Sequence, residues 1–152
     1  MVVPQKVTKK DGLDLNNPYM VDDIIQDANS YYSATIILED IREKSSLFPP
    51  VILNAAFACE LFSKAILYKN GRKPPIINHQ LKGLYDDFPK DIKSKIKEQY
   101  QNGNEVRFEE WLADINEIFE FWRYRYEHKK YSTHYSFLLE YMKVLKLTVE
   151  GL

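Results

Sequence analysis

Between Pro50 and Lys69 the chain is apolar almost all the way round a helix: Val51, Ile52, Leu53, Ala55, Ala56, Phe57, Ala58, Cys59, Leu61, Phe62, Ala65, Ile66 and Leu67. A helix with no polar face must be covered on every side, so this segment belongs at the centre of a bundle, and the rest of the chain must supply the cover. Pro49-Pro50 precedes it, and Asn70-Gly71 supplies a C-terminal stop signal. Cys59 lies inside the run, which favours a buried structural thiol over a nucleophile. With one cysteine, no intrachain disulfide can form.

The covering helices are legible from their stripes. Asn17-Pro18 opens the first, with Asp22 and Asp23 complementing its dipole, and Val21, Ile24, Ile25, Ala28, Tyr31 and Tyr32 forming its apolar face. It is expected to fade near Lys44-Ser45-Ser46. A Pro-rich loop over 72–78 leads to a short helix from His79 to Phe88, then Pro89 and a polar helix from Asp91 to Tyr100. Asn102-Gly103-Asn104 marks a turn. Phe108, Trp111, Leu112, Ile115, Ile118, Phe119, Trp122 and Tyr126 then recur at three- and four-residue steps and predict one continuous helix. Ser132 or Thr133 caps a last helix carrying Tyr135, Leu138, Leu139, Met142, Leu145 and Val149. The expected fold is all-α: an antiparallel bundle over 17–152 of about four long helices and one or two short ones, preceded by an arm at 1–16.

Composition excludes several function classes. A chain of 152 residues with 45% hydrophobic and 28% charged residues is globular rather than disordered. A net charge of −1 gives no whole-surface attraction to nucleic acid, so any such contact needs a local basic patch. Lys90, Lys93, Lys95 and Lys97 are diluted by Asp91 and Glu98 and read as a solvated face. Lys129, Lys130 and Arg125 make the better patch. With 5 Gly there is no phosphate-cradling glycine loop, and 3 scattered His make no metal-ligand cluster, so neither a cofactor nor a metal is expected. The N-terminal residues lack a signal-peptide core, and no uninterrupted apolar stretch approaches the roughly 18–20 residues of a membrane span. A cytoplasmic protein without a membrane partner is expected.

Two features depart from plain architecture. Glu60 and Lys64 stand i, i+4 in the most apolar helix, where a carboxylate needs a partner: Lys64, Arg123 or Tyr126. Arg123 lies about 60° from the middle of its helix's apolar stripe, bordering the core, where a guanidinium can pair with a carboxylate or a phosphate. His128 follows five residues later, about 140° away on a continuous helix; the two meet only if the helix unwinds or if they come from different chains. His79 and His134 read as helix-start residues bonded locally or exposed.

Arg123 through His128, with four residues between, resembles the Arg-x4–6-His pattern of HEPN domains, the higher eukaryotes and prokaryotes nucleotide-binding superfamily. Arg72 and His79 fit the same spacing with six between, but in a loop where the family does not place it. The stretch from Asn54 through Glu60 and Lys64 to Leu67 is similar to the family's central helix, and His79-x-Leu81-x-x-Leu84 to the turn after it. Trp122-Arg123-Tyr124-x-Tyr126-Glu127 looks like a segment of some bacterial members. The resemblance runs from about Asn17 to the C-terminus and implies a helical bundle. For nuclease members it implies metal-independent RNA cleavage of defence or toxin type at a two-fold axis. It would give Arg123 and His128 the catalytic roles, Glu60, Lys64, Tyr124 and Tyr126 supporting roles, and Arg125, Lys129 and Lys130 substrate contacts. It also implies a homodimer, to which the 14% aromatic content adds a motive, with RNA or a nucleotide as ligand and an antitoxin or nucleotidyltransferase protein as partner. Catalytic members often carry a polar residue directly after the Arg. Tyr124 stands there, which keeps open a non-catalytic module binding a nucleotide, RNA or a partner protein, or a purely structural subunit.

Overall fold

In the computed structural model, residues 17–41, 47–100, 107–124 and 134–152 are described. Seven helices occur among them: α1 (Met20–Asp40), α2 (Phe48–Lys69), α3 (Leu81–Asp86), α4 (Lys90–Glu98), α5 (Phe108–Asp114), α6 (Ile118–Arg123) and α7 (Tyr135–Glu150). No strand occurs among the described residues. The fold is an all-α bundle.

α2 is its axis. Val51, Ile52, Ala55, Ala58, Cys59, Phe62, Ala65 and Ile66 are fully buried, and α1, α3, α6 and α7 pack around them. The helix begins with two prolines in its first turn, where missing N–H groups cost nothing, and ends at Asn70, with Gly71 taking a φ of 91° that disfavours a side chain. By length and mean hydropathy α2 could cross a membrane, but 67% of its apolar window is buried inside the bundle, as in a core helix. α1 starts where Asn17 Oδ1 accepts the Tyr19 N–H at 2.9 Å, so the predicted N-cap residue acts one turn ahead of the helix proper.

The aromatic surplus is spent internally. Tyr85, Phe88, Tyr100, Phe108, Phe137 and Tyr141 form a continuous cluster of edge-on and tilted rings, joining α3, the end of α4, α5 and α7. Aromatic content therefore loses its force as a motive for self-association.

The main departure from expectation is the predicted long helix from Phe108. It breaks: α5 ends at Asp114, residues 115–117 form a turn, and α6 ends at Arg123. The apolar stripe survives the break, because Phe108, Leu112, Ile115, Ile118 and Trp122 all remain buried. Among the described residues α1, α2 and α7 are the long helices, and α3, α4, α5 and α6 are short. The expected turn at 102–104, the residues 1–16, and the caps Ser132 and Thr133 lie outside the described residues; His134 occupies the N-cap position of α7.

Candidate functional site

Glu60 sits in the fourth turn of α2 with its side chain only 5% exposed. Two donors meet its Oε1: Lys64 Nζ at 2.8 Å and His79 Nδ1 at 2.6 Å. Lys64 is the helical neighbour that the i, i+4 spacing predicts, and it is itself nearly buried. A carboxylate taken out of water keeps its charge only where such donors replace the lost hydration, which is what these two supply.

His79 is the partner that sequence reasoning missed. Its side chain is 74% exposed, so only Nδ1 is committed to the interior. What brings it there is the break between α5 and α6. In the turn at 115–117 the Asn116 carbonyl accepts the Leu81 N–H at 3.1 Å, and Asn116 Oδ1 accepts the amides of Lys82 and Gly83 at 2.8 and 3.3 Å. These are the orphan first-turn donors of α3, capped from a distant element instead of a local side chain. Gln80 Nε2 donates to Glu117 Oε1 at 2.9 Å, and Gln80 N–H to Asn78 Oδ1 at 2.9 Å. Residues 78–83 are thereby clamped to the turn, with His79 facing Glu60. The one available signal was the His79-x-Leu81-x-x-Leu84 pattern itself.

A crevice opens beside His79, bordered by Ala56, Gln80, Asn116, Glu117, Phe119 and Glu120. Phe119 packs inward on Phe57 of α2, ring centroids 5.6 Å apart. The Arg123 guanidinium lies over the same Phe119 ring at 5.5 Å and over Tyr124 at 5.1 Å, donating to Tyr124 Oη at 3.0 Å. Arg123 is exposed, and it is not the partner of Glu60. The reason is positional: α6 stops at Arg123, with Tyr124 already at φ −119°, so the guanidinium leaves the bundle edge instead of turning inward. His128, Arg125, Tyr126, Lys129 and Lys130 lie outside the described residues.

The remaining candidates resolve as follows. His134 was expected to be an exposed first-turn residue. It is half-buried, stacked on Trp111 at 5.6 Å, with Nε2 2.8 Å from Asp114 Oδ2. It ties the start of α7 to the end of α5. Of the lysines on α4, Lys97 pairs with Glu109 at 3.1 Å and Lys93 lies over the Tyr85 ring at 5.7 Å. Burial pushes the Cys59 thiol far above its ordinary range, which leaves it no thiolate for chemistry. Among the described residues, no three His, Cys, Asp or Glu side chains come together as a metal site would need. Comparison with known protein families, curated proteins and solved structures finds no match to this chain.

Proposed function

We propose that this chain is a HEPN-type domain that cleaves RNA without a metal, as a homodimer, in a defence or toxin setting. Arg123 stabilises the charge that develops on phosphorus-bound oxygen, and His128 moves the proton, while Arg125, Lys129 and Lys130 hold the strand. The observation that carries the reading is the state of Arg123. A permanent cation stands exposed at the end of α6, braced by two aromatic faces and paired with no carboxylate among the described residues. Such a guanidinium is ready for a phosphate.

A second reading has its own observation. The Tyr124 hydroxyl accepts from Arg123, at the position where a polar catalytic neighbour would be expected. This favours a non-catalytic module that binds RNA, a nucleotide or a partner protein such as an antitoxin or a nucleotidyltransferase.

Incubation of a varied RNA pool with purified protein in EDTA separates the two. Cleavage to 2′,3′-cyclic phosphate ends, with DNA untouched for want of the 2′-hydroxyl, is the expected result. His128→Ala and Arg123→Ala each abolish turnover. Since Glu60 is paired elsewhere, Arg123→Ala leaves the melting temperature nearly unchanged. RNA left intact moves the conclusion to the binding module, and undiminished cleavage by His128→Ala removes the mechanism.

A further inference from the structure

A polar seam runs through the aromatic core. Ser63 Oγ on α2, Tyr85 Oη on α3, Tyr100 Oη just past the end of α4 and Tyr141 Oη on α7 are buried hydroxyl oxygens with no hydrogen-bond partner among the described residues. Ser63, Tyr85 and Tyr141 are fully buried as whole residues. The three phenols come from separate elements and converge on one ring. Tyr85, Tyr100 and Tyr141 pack on Phe108 with centroids 5.4, 4.9 and 6.1 Å from it. Ser63 stands close enough to Tyr141 to favour the charged form of its phenol, yet the two hydroxyls lack the geometry of a hydrogen bond.

Packing alone does not account for these hydroxyls. Phenylalanine would place the same ring at each tyrosine and alanine would nearly fill the place of Ser63, without the cost of an unpaired buried polar group. A hydroxyl both donates and accepts. The small species that can serve several hydroxyls at once is water, which takes part in about three hydrogen bonds when enclosed in a protein. An anion does not fit. Lys64, the nearly buried cation of α2, is already held by Glu60, so no free charge stands among the described core residues to balance one.

We propose that the bundle contains an internal hydration site, in which about one or two waters join Ser63 of the central helix to the phenols of Tyr85, Tyr100 and Tyr141. The bridge gives α2 a directional link to three covering elements, where ring packing alone sets no hydrogen-bond register. An enclosed water satisfies a hydroxyl without supplying the bulk solvent that a phenolate needs, so the phenols stay neutral.

Oxygen-17 relaxation dispersion of the solvent tests this on the full chain. It counts waters held longer than the protein's tumbling time and is blind to exchanging hydroxyl protons. A triple variant, Ser63→Ala with Tyr85→Phe and Tyr141→Phe, keeps every ring and leaves only the Tyr100 hydroxyl, too few partners to hold a water. The dispersion amplitude should fall by that of about one water or more, with helical circular dichroism unchanged. An amplitude equal to that of wild type in the folded variant overturns the proposal. A high-resolution crystal structure of wild type gives a second reading that needs no variant to fold. A solvent peak should lie about 2.5–3.0 Å from two or more of these oxygens. Hydroxyls bonded directly to one another, Ser63 to Tyr141 first, with no solvent between them, overturn the site.

Discussion

Glu60 shows what a single residue's sequence neighbourhood can and cannot reveal. Its need for a partner was legible, because a carboxylate in so apolar a helix cannot stand alone, and Lys64 one turn later was legible because helical geometry alone brings the two together. His79 was not legible, since its contact spans 19 residues and depends on a loop direction that no local rule encodes. Of the three candidate partners Lys64 meets Glu60, whereas the Arg123 guanidinium lies over Phe119 and Tyr124. The stability consequence belongs to Glu60. Replacing it with Ala strands the largely buried Lys64 ammonium and frees the His79 loop. Removing one member of a buried pair typically costs about 3–5 kcal/mol, and the exposed His79 side adds little to that figure. Urea melts of Glu60→Ala should show an unfolding free energy lowered by that order. A change below about 1 kcal/mol, the range of exposed pairs, would mean that Lys64 reaches water freely.

At the scale of elements, the central helix, its proline entry and its Gly71 exit were all present in the local sequence. The split between α5 and α6 was not. No Gly or Pro announces it, and the three- and four-residue spacing of apolar side chains runs through it undisturbed, because a turn at 115–117 advances the chain while keeping Ile115 and Ile118 inward. Periodicity reports which side chains face the core and is blind to whether the backbone between them stays helical. The break has a use: it frees the carbonyl and side chain of Asn116 to cap α3. Asn116→Ala leaves two first-turn amides without their acceptor and should cost about 1–2 kcal/mol, as loss of a cap does. The diagnostic result is local. Hydrogen exchange at the Lys82 and Gly83 amides should accelerate well before exchange in α2 changes. Equal protection of those amides in the variant would show that water or another group replaces Asn116.

For the molecule as a whole, the phenols of its core set a limit on the pH it tolerates. Tyr85 and Tyr141 are fully buried and Tyr100 is mostly so, all within one aromatic cluster. Burial is the largest cause pushing each hydroxyl upward. The carboxylates of Glu109 and Asp86 add to it at Tyr85, and that of Glu140 adds to it at Tyr100. In the unfolded chain the same groups ionise near pH 10. Above that pH the unfolded state therefore holds fewer protons than the folded one, and stability falls as pH rises; below it the buried phenols are neutral in both states and the stability is fully present. Each such group contributes a slope of about 1.4 kcal/mol per pH unit, so the two fully buried tyrosines alone give about 3 kcal/mol per unit. A bundle with a usual stability of about 5–15 kcal/mol should then unfold cooperatively within a few units above pH 10. Tyrosinate absorbance of the core phenols should appear together with the loss of helical circular dichroism, not before it. Substituting Tyr141→Phe removes one titrating group and should make the alkaline fall shallower. Absorbance rising to its full tyrosine amplitude while the helices remain intact would show that water enters the aromatic cluster in the native state.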